Sequence, residues 1–192
     1  MMYKCSSTGD TILFLDFDGP LLPGRMHYEG YNSTVMFSLD QRWHDDFEIK
    51  KHIRFDPVMI NVLNRWIEHT DAKVVISSNW AKWSTLDQIC AFLKGNGFAF
   101  CDNIHDQWKT PRIPSWTRAD EISHWLFNNL GQFSNYMIID DDISVMNDQR
   151  LNKNKVLLID FNDGLSFKQI FEGCEILGIT EYDKVLTRSI NS

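Results

Sequence analysis

The stretch ILFLDFDGPLL, residues 12–22, places two carboxylates one residue apart where an apolar run ends. Asp16 and Asp18 flank Phe17, and Gly19-Pro20 follow. Carboxylates this close raise one another's pKa and resist ionisation unless a cation neutralises them. Two other apolar runs end in the same manner. KVVIS leads into Ser77-Ser78-Asn79, and YMIID into Asp140-Asp141-Asp142. Hard oxygen donors beside an open position suit Mg²⁺, which takes one or two carboxylates and leaves its other positions to water and substrate phosphate. The residue types therefore predict a metal held for the sake of a phosphate.

For these groups to meet, the runs that carry them must lie side by side. TILFLD (11–16), KVVIS (73–77), YMIID (136–140) and KVLLID (155–160) read as strands, with FAFC (98–101) a weaker candidate. Their continuous apolarity suits strands covered on both faces, as in a parallel sheet. Amphipathic stretches separate them. Asp56 and Pro57 open one helix, whose stripe runs Met59, Leu63, Trp66 and Ile67. Ser84 is placed to cap the next, and Thr117 with Asp120 forms a capping box for a third. Ser166 with Gln169 opens the last, with Phe167, Ile170, Phe171, Cys174 and Leu177 facing inward. Strand and helix in alternation predict a doubly wound α/β sheet, whose ligands bind beyond the carboxyl ends of the strands. Residues 21–55 have no clean period and read as an excursion or flap between the first strand and first helix.

Composition narrows the class. A chain of 192 residues, 43% hydrophobic, favours one globular domain spanning 1–192. The net charge of −7 argues against coating nucleic acid by bulk electrostatics, although a local basic patch is compatible with it. Cys5, Cys90, Cys101 and Cys174 form no CxxC pair, so neither a zinc knuckle nor a disulfide framework is expected. No apolar run approaches the roughly 20 residues needed to span a bilayer. The N-terminus lacks the apolar segment of a secretory signal, so a cytoplasmic location and no membrane partner are expected.

LFLDFDG resembles the first motif of the haloacid dehalogenase (HAD) superfamily. VVISSNW resembles the second, and YMIIDDD the fourth in its double-Asp form; TRADEI supplies Arg118 for the third. Within the superfamily, SSNW, RADEISHWL, DDD and DGLS are similar to the HAD domains associated with Swiss Army Knife RNA repair proteins. The resemblance covers roughly residues 11–178 and implies a HAD-like fold with a small cap. It also implies roles. Asp16 would attack phosphorus and form an aspartyl-phosphate, and Asp18 would act as general acid and then base. Asp16, the main-chain carbonyl of Asp18, Asp141 and Asp140 would hold Mg²⁺. Ser77 would donate to a phosphoryl oxygen, with Ser78 its rival. Arg118 would neutralise the transferring group, with Lys109 its rival.

Asn79 and Trp80 follow the second motif and are further candidates for substrate binding. Trp80 and Trp83 could stack a base at the edge of the crevice, although packing is the commoner use of a tryptophan. The resulting expectation is a Mg²⁺-dependent phosphomonoesterase. Its partner is a phosphorylated substrate, with polynucleotide ends or nucleotides favoured. The alternatives are a small-molecule phosphatase and a non-catalytic HAD-like binding or effector module. The resemblance implies that Asp18 favours a phosphatase, since members of the superfamily that dehalogenate or cleave phosphonates lack an Asp there, and the complete acidic set speaks against a non-catalytic module.

Overall fold

The computed structural model describes residues 9–38 and 47–182. Five strands form one all-parallel sheet: β1 (Asp10–Leu15), β2 (Lys73–Ile76), β3 (Ile104–Lys109), β4 (Phe133–Asp140) and β5 (Val156–Leu158). Their order across the sheet is β3-β2-β1-β4-β5. The chain runs outward from β1 to β3, then returns to lay β4 on the other flank of β1. The direction of winding therefore reverses between β1 and β4, the position at which open α/β sheets form their ligand crevice.

Strand periodicity divides the core in two. Leu13, Leu15, Val74, Ile76, Met137 and Ile139 face one layer. Ile12, Phe14, Val75 and Ile138 face the other. Against the first layer pack α4 (Pro57–Thr70), α5 (Leu86–Gly95) and α8 (Phe167–Leu177); against the second pack α6 (Arg118–Asn128) and α7 (Ser144–Asn147). The remaining helices, α1 (Gly24–His27), α2 (Gly30–Ser38) and α3 (Phe47–Lys50), lie in the 21–55 segment. Among the described residues no helix is long and apolar enough to cross a membrane. Cys90, Cys101 and Cys174 are free thiols, and Cys5 lies outside the described residues.

Most start signals act as the sequence predicts. Asp56 accepts from the Val58 amide at 2.8 Å, with Pro57 at the first helical position. Reciprocal capping boxes join Thr117 to Asp120 and Ser166 to Gln169. Three expectations are corrected. The cap of α5 is Thr85, boxed with Gln88, while Ser84 turns inward to donate to the Trp80 carbonyl at 2.9 Å. Phe167 is exposed on the first turn of α8. FAFC is not a strand: Phe98 is buried in the core, and residues 101–103 form a 3₁₀ turn. The third strand is the polar IHDQWK instead. As an edge strand with half-exposed faces, it needs no continuous apolar run.

The 21–55 segment is a closed excursion. Its ends meet where the Asp56 amide donates to the Leu21 carbonyl at 2.9 Å. Asn32, fully buried, ties it together: its Nδ2 donates to the carbonyls of Met26 and Arg54, and its Oδ1 accepts from the Arg54 amide. Residues 39–46 lie outside the described residues.

The contact between α4 and α8 has no slack. A Cβ built on Gly173 would stand 2.4 Å from Cζ2 of Trp66, itself buried and donating through Nε1 to Cys174 Sγ. Replacing a helical glycine by alanine ordinarily gains about 0.5–1 kcal/mol. Here overpacking, at about 1–3 kcal/mol, outweighs that gain. Gly173→Ala should therefore lower the midpoint of denaturant unfolding; a raised midpoint would show that the Trp66 ring yields freely.

Candidate active site

Each strand end delivers its polar group to the crevice through a backbone bond to its neighbour. The Asp16 amide donates to Ile139 O at 3.0 Å, the Ser77 amide to Leu15 O at 2.9 Å, and the Ile159 amide to Asp140 O at 2.9 Å. Asp16, Asp140 and Asp141 consequently converge, each offering a carboxylate oxygen within 4.8 Å of the others. Asp140 is fully buried and Asp16 nearly so. The turn that follows depends on Gly19. Its φ of +77° favours glycine, and a Cβ there would meet the Asp141 side chain at 3.0 Å.

Arg118 enters this acidic cluster from the first turn of α6. Its Nε lies 3.0 Å from Asp140 Oδ2, its Nη2 3.5 Å from Asp16 Oδ2, and its Nη1 3.4 Å from Glu121 Oε2. Burial works against the charge. The carboxylates of Asp16, Asp140 and Glu121 more than offset it and hold the guanidinium protonated beyond the usual arginine range. The Ser77 hydroxyl, also buried, faces Asp140 Oδ2 at 3.5 Å. Asp142 stands aside, accepting from the Ser144 amide at the start of α7.

Asp18 is anchored separately. The Trp80 indole N–H donates to its Oδ2 at 3.0 Å, while its Oδ1 is buried without a hydrogen-bond partner among the described residues. Trp80 is itself packed, stacked on Phe92 at 5.3 Å between ring centres and against Phe55 at 5.7 Å. Burial first, and then the Asp16 charge, push the Asp18 carboxyl up to about 7. The same two causes push Asp141 up to about 6 and Asp140 well above the usual carboxylate range. A carboxyl near 7 is suited to giving and taking a proton at neutral pH.

Of the other residues singled out from sequence, Ser78 is fully buried and accepts from the Trp80 amide at the head of a 3₁₀ turn over Asn79–Ala81. Asn79 is exposed and lines a cavity with Arg118 and Asp142. Lys109 is not in the acidic cluster: its Nζ donates to the Ala81 carbonyl at 3.1 Å and lies 4.7 Å from the Trp108 ring centre. Trp83 is 70% exposed.

Three residues escaped the sequence reading as site components. Arg112 donates to Glu121 and to the carbonyl of Ser77, so Glu121 bridges two guanidiniums behind the acidic cluster. Glu121 had a signal in its place within RADEI; Arg112, in an aperiodic loop, had none. Lys50, buried at the end of α3, lies 5.2 Å from the Trp80 ring centre and acts electrostatically on Asp18. The excursion thus contributes a cation whose charge is felt at Asp18.

A family model for the HAD domain in Swiss Army Knife RNA repair proteins matches residues 12–170. The chain belongs to this family. No curated protein and no solved structure matches it. The HAD domain's acidic triad fits the divalent metal typical of such proteins. Asp16, Asp140 and Asp141 offer hard oxygens at mutual ligand spacing, and the raised pKa values mark negative charge that lacks sufficient compensation.

That imbalance has a measurable sign. In the metal-free HAD domain Asp18 and Asp141 titrate near 7 and 6, above the ordinary unfolded value of about 3.9. Between these limits the folded state binds more protons than the unfolded one, so the site's contribution to stability falls as pH rises from about 4 to 7. A divalent cation competes with those protons. Thermal melts should therefore show a larger cation-induced rise in Tm at pH 8 than at pH 5.5; equal shifts would refute a carboxylate site.

Proposed function

We propose that the HAD domain is a Mg²⁺-dependent phosphomonoesterase acting through a phosphorylated Asp16. One observation carries the reading: Asp16 shares its cluster with a buried arginine and two further carboxylates, while a separate carboxylate of near-neutral pKa, Asp18, is held two residues away. A nucleophile, its counter-charge and a proton carrier are what a two-step phosphoryl transfer requires.

In the first step an Asp16 oxygen bonds to phosphorus as the bond to the leaving oxygen breaks, and protonated Asp18 gives that oxygen its proton. In the second, Asp18 removes a proton from water as the water oxygen bonds to phosphorus and the Asp16–phosphorus bond breaks. Free Asp16 and inorganic phosphate result. The Ser77 hydroxyl donates to a phosphoryl oxygen, and Arg118 balances the charge that develops on the group. The Trp80 indole keeps Asp18 in one orientation through both steps. Mg²⁺, held by Asp16, Asp140, Asp141 and the Asp18 carbonyl, would supply the positive charge that brings nucleophile and phosphate together despite their mutual repulsion.

We assign the substrate to terminal phosphates of nucleic acids. The family description supports this, as does the cavity that opens beside Arg118. The test is release of phosphate from an aryl phosphate with Mg²⁺ and with excess chelator, followed by a panel of phosphorylated oligonucleotides, nucleotides, sugar phosphates and phosphopeptides. Mg²⁺-dependent release that favours oligonucleotides is expected. Release from sugar phosphates or free nucleotides alone would select a small-molecule phosphatase, and release from none would leave a binding module.

A further inference from the structure

We infer that a cationic groove leading away from Arg118 is a subsite for a second phosphate, the phosphodiester next to the end being hydrolysed. The inference rests on the phosphatase reading above and assigns to it residues that the chemistry itself does not use.

Two cavities make the groove. The first, about 320 Å³, opens beside the site and is bordered by Arg118, Glu121, Asp142, Asn79 and Trp116, its two carboxylates lying on the side of the acidic cluster. The second, about 370 Å³, shares Lys82 and Arg112 with the first and continues along the ends of β3 and α6. Lys82, Lys109, Arg112 and His124 line this second cavity, and none of its lining residues is Asp or Glu. On a chain of net charge −7, a recess free of carboxylates and holding three permanent cations implies an anionic occupant.

The cations are arranged for this. Lys109 is fixed by one N–H on the Ala81 carbonyl, which leaves two ammonium donors for a ligand. Arg112 is held by Glu121 and the Ser77 carbonyl, so its charge is partly met from behind. Burial and the neighbouring Arg118 lower its pKa. Lys82 is exposed at the junction of the two cavities.

An independent observation comes from Thr110. Its amide is fixed to the Ile76 carbonyl at 3.1 Å, at the sheet edge beside Ser77. Thr110 is among the residues that line the second cavity and is 2% exposed, yet its hydroxyl has no hydrogen-bond partner among the described residues. A buried hydroxyl left unpaired costs about 1–3 kcal/mol, so such groups normally have a partner. A phosphodiester oxygen between Lys82 and Lys109 would provide one.

The linkage between the two phosphates follows from the aromatic groups. Trp116 borders the first cavity, and Trp83 stands exposed with the Lys82 ammonium 4.8 Å from its ring centre. Flat aromatic faces beside backbone cations suit a nucleic acid strand, whose bases stack while its phosphates follow the charge. A phosphopeptide would use the cations and leave these faces bare.

The test compares three substrates of the full chain with Mg²⁺: an aryl phosphate, a 5′-mononucleotide, and a trinucleotide bearing the same terminal phosphate. The trinucleotide should exceed the mononucleotide in kcat/KM by about tenfold or more, the advantage falling with added salt. In Lys82→Ala/Thr110→Val that ratio should collapse to within about threefold of unity. Lys82→Ala alone, at an exposed position, should lower it in part, which guards against a folding defect in the double variant. A ratio near unity in the wild type, or one the variants leave unchanged, overturns the subsite while the phosphatase reading stands. Failure of all three substrates would end both.

Discussion

Asp16→Asn should abolish Mg²⁺-dependent phosphate release, lowering kcat by at least about 10³-fold, because the amide cannot form the phosphorylated intermediate. The substitution is nearly isosteric. The backbone bond from the Asp16 amide to Ile139 and that from the Phe17 amide to Asp16 Oδ1 can both persist. It also removes a negative charge that raises Asp18, Asp140 and Asp141. The variant should accordingly be at least as stable as the wild type in the absence of metal, and activity and stability should move in opposite directions. Asp18→Asn offers a contrast. The nucleophile survives, so a slow first step with a good aryl leaving group should remain, while the second step, which needs a base, should stall. Rapid-quench assays would then show phosphorylated protein accumulating in Asp18→Asn and none in Asp16→Asn. Phosphorylation of Asp16→Asn at a wild-type rate would refute the assignment.

Arg118 carries the second large effect, because it is both counter-charge and structural centre. Arg118→Met keeps much of the buried stem but leaves Asp140 and Glu121 without the guanidinium that each of them meets. Breaking a buried ion pair by removing one partner costs about 3–5 kcal/mol. Charge stabilisation of phosphoryl transfer by an arginine is worth about 10³–10⁵ in kcat. Metal-free Arg118→Met should therefore unfold at a markedly lower denaturant midpoint and be almost inactive. Divalent cation should recover part of the stability, since it neutralises the same carboxylates, without recovering the activity. Arg118→Lys should keep the charge and lose the fork that reaches Asp16, Asp140 and Glu121 together, giving an intermediate result on both measures. If Arg118→Met were inactive yet fully stable, the arginine would have no structural part in the cluster.

The two effects share a physical origin. The site concentrates more negative charge than its own arginines compensate, and burial magnifies the imbalance. Glu121 adds to the excess and directs Arg118, while Arg112 stands behind it. On the other side, the Trp80 indole, with Lys50 over its ring, holds Asp18 from within a packed aromatic layer formed by Phe17, Phe55 and Phe92. Asp18 is thus secured from the turn after β2, with Lys50 of the excursion beside the indole, and not from its own strand.

Much of this was legible in the linear chain. Apolar runs ending in carboxylates or serines marked β1, β2 and β4, and cap chemistry at Asp56, Thr117 and Ser166 set the helix starts between them. These signals are local: a strand covered on both faces must be apolar, and a helix start needs an acceptor for its free amides. The acidic pair Asp16–Asp18 and the run Asp140–Asp142 could be read for the same reason, since each lies at a strand end. Tertiary structure alone decided which partners these groups meet. That Trp80 would serve Asp18 from within the core, that Glu121 would bridge two arginines, and that Lys50 would reach the site depended on packing between segments distant in sequence. The strand IHDQWK was hidden because an edge strand needs hydrogen bonds on one side only and little apolar burial. Local periodicity reports which face of an element is buried; what lies against that face is settled only when the whole sheet has assembled.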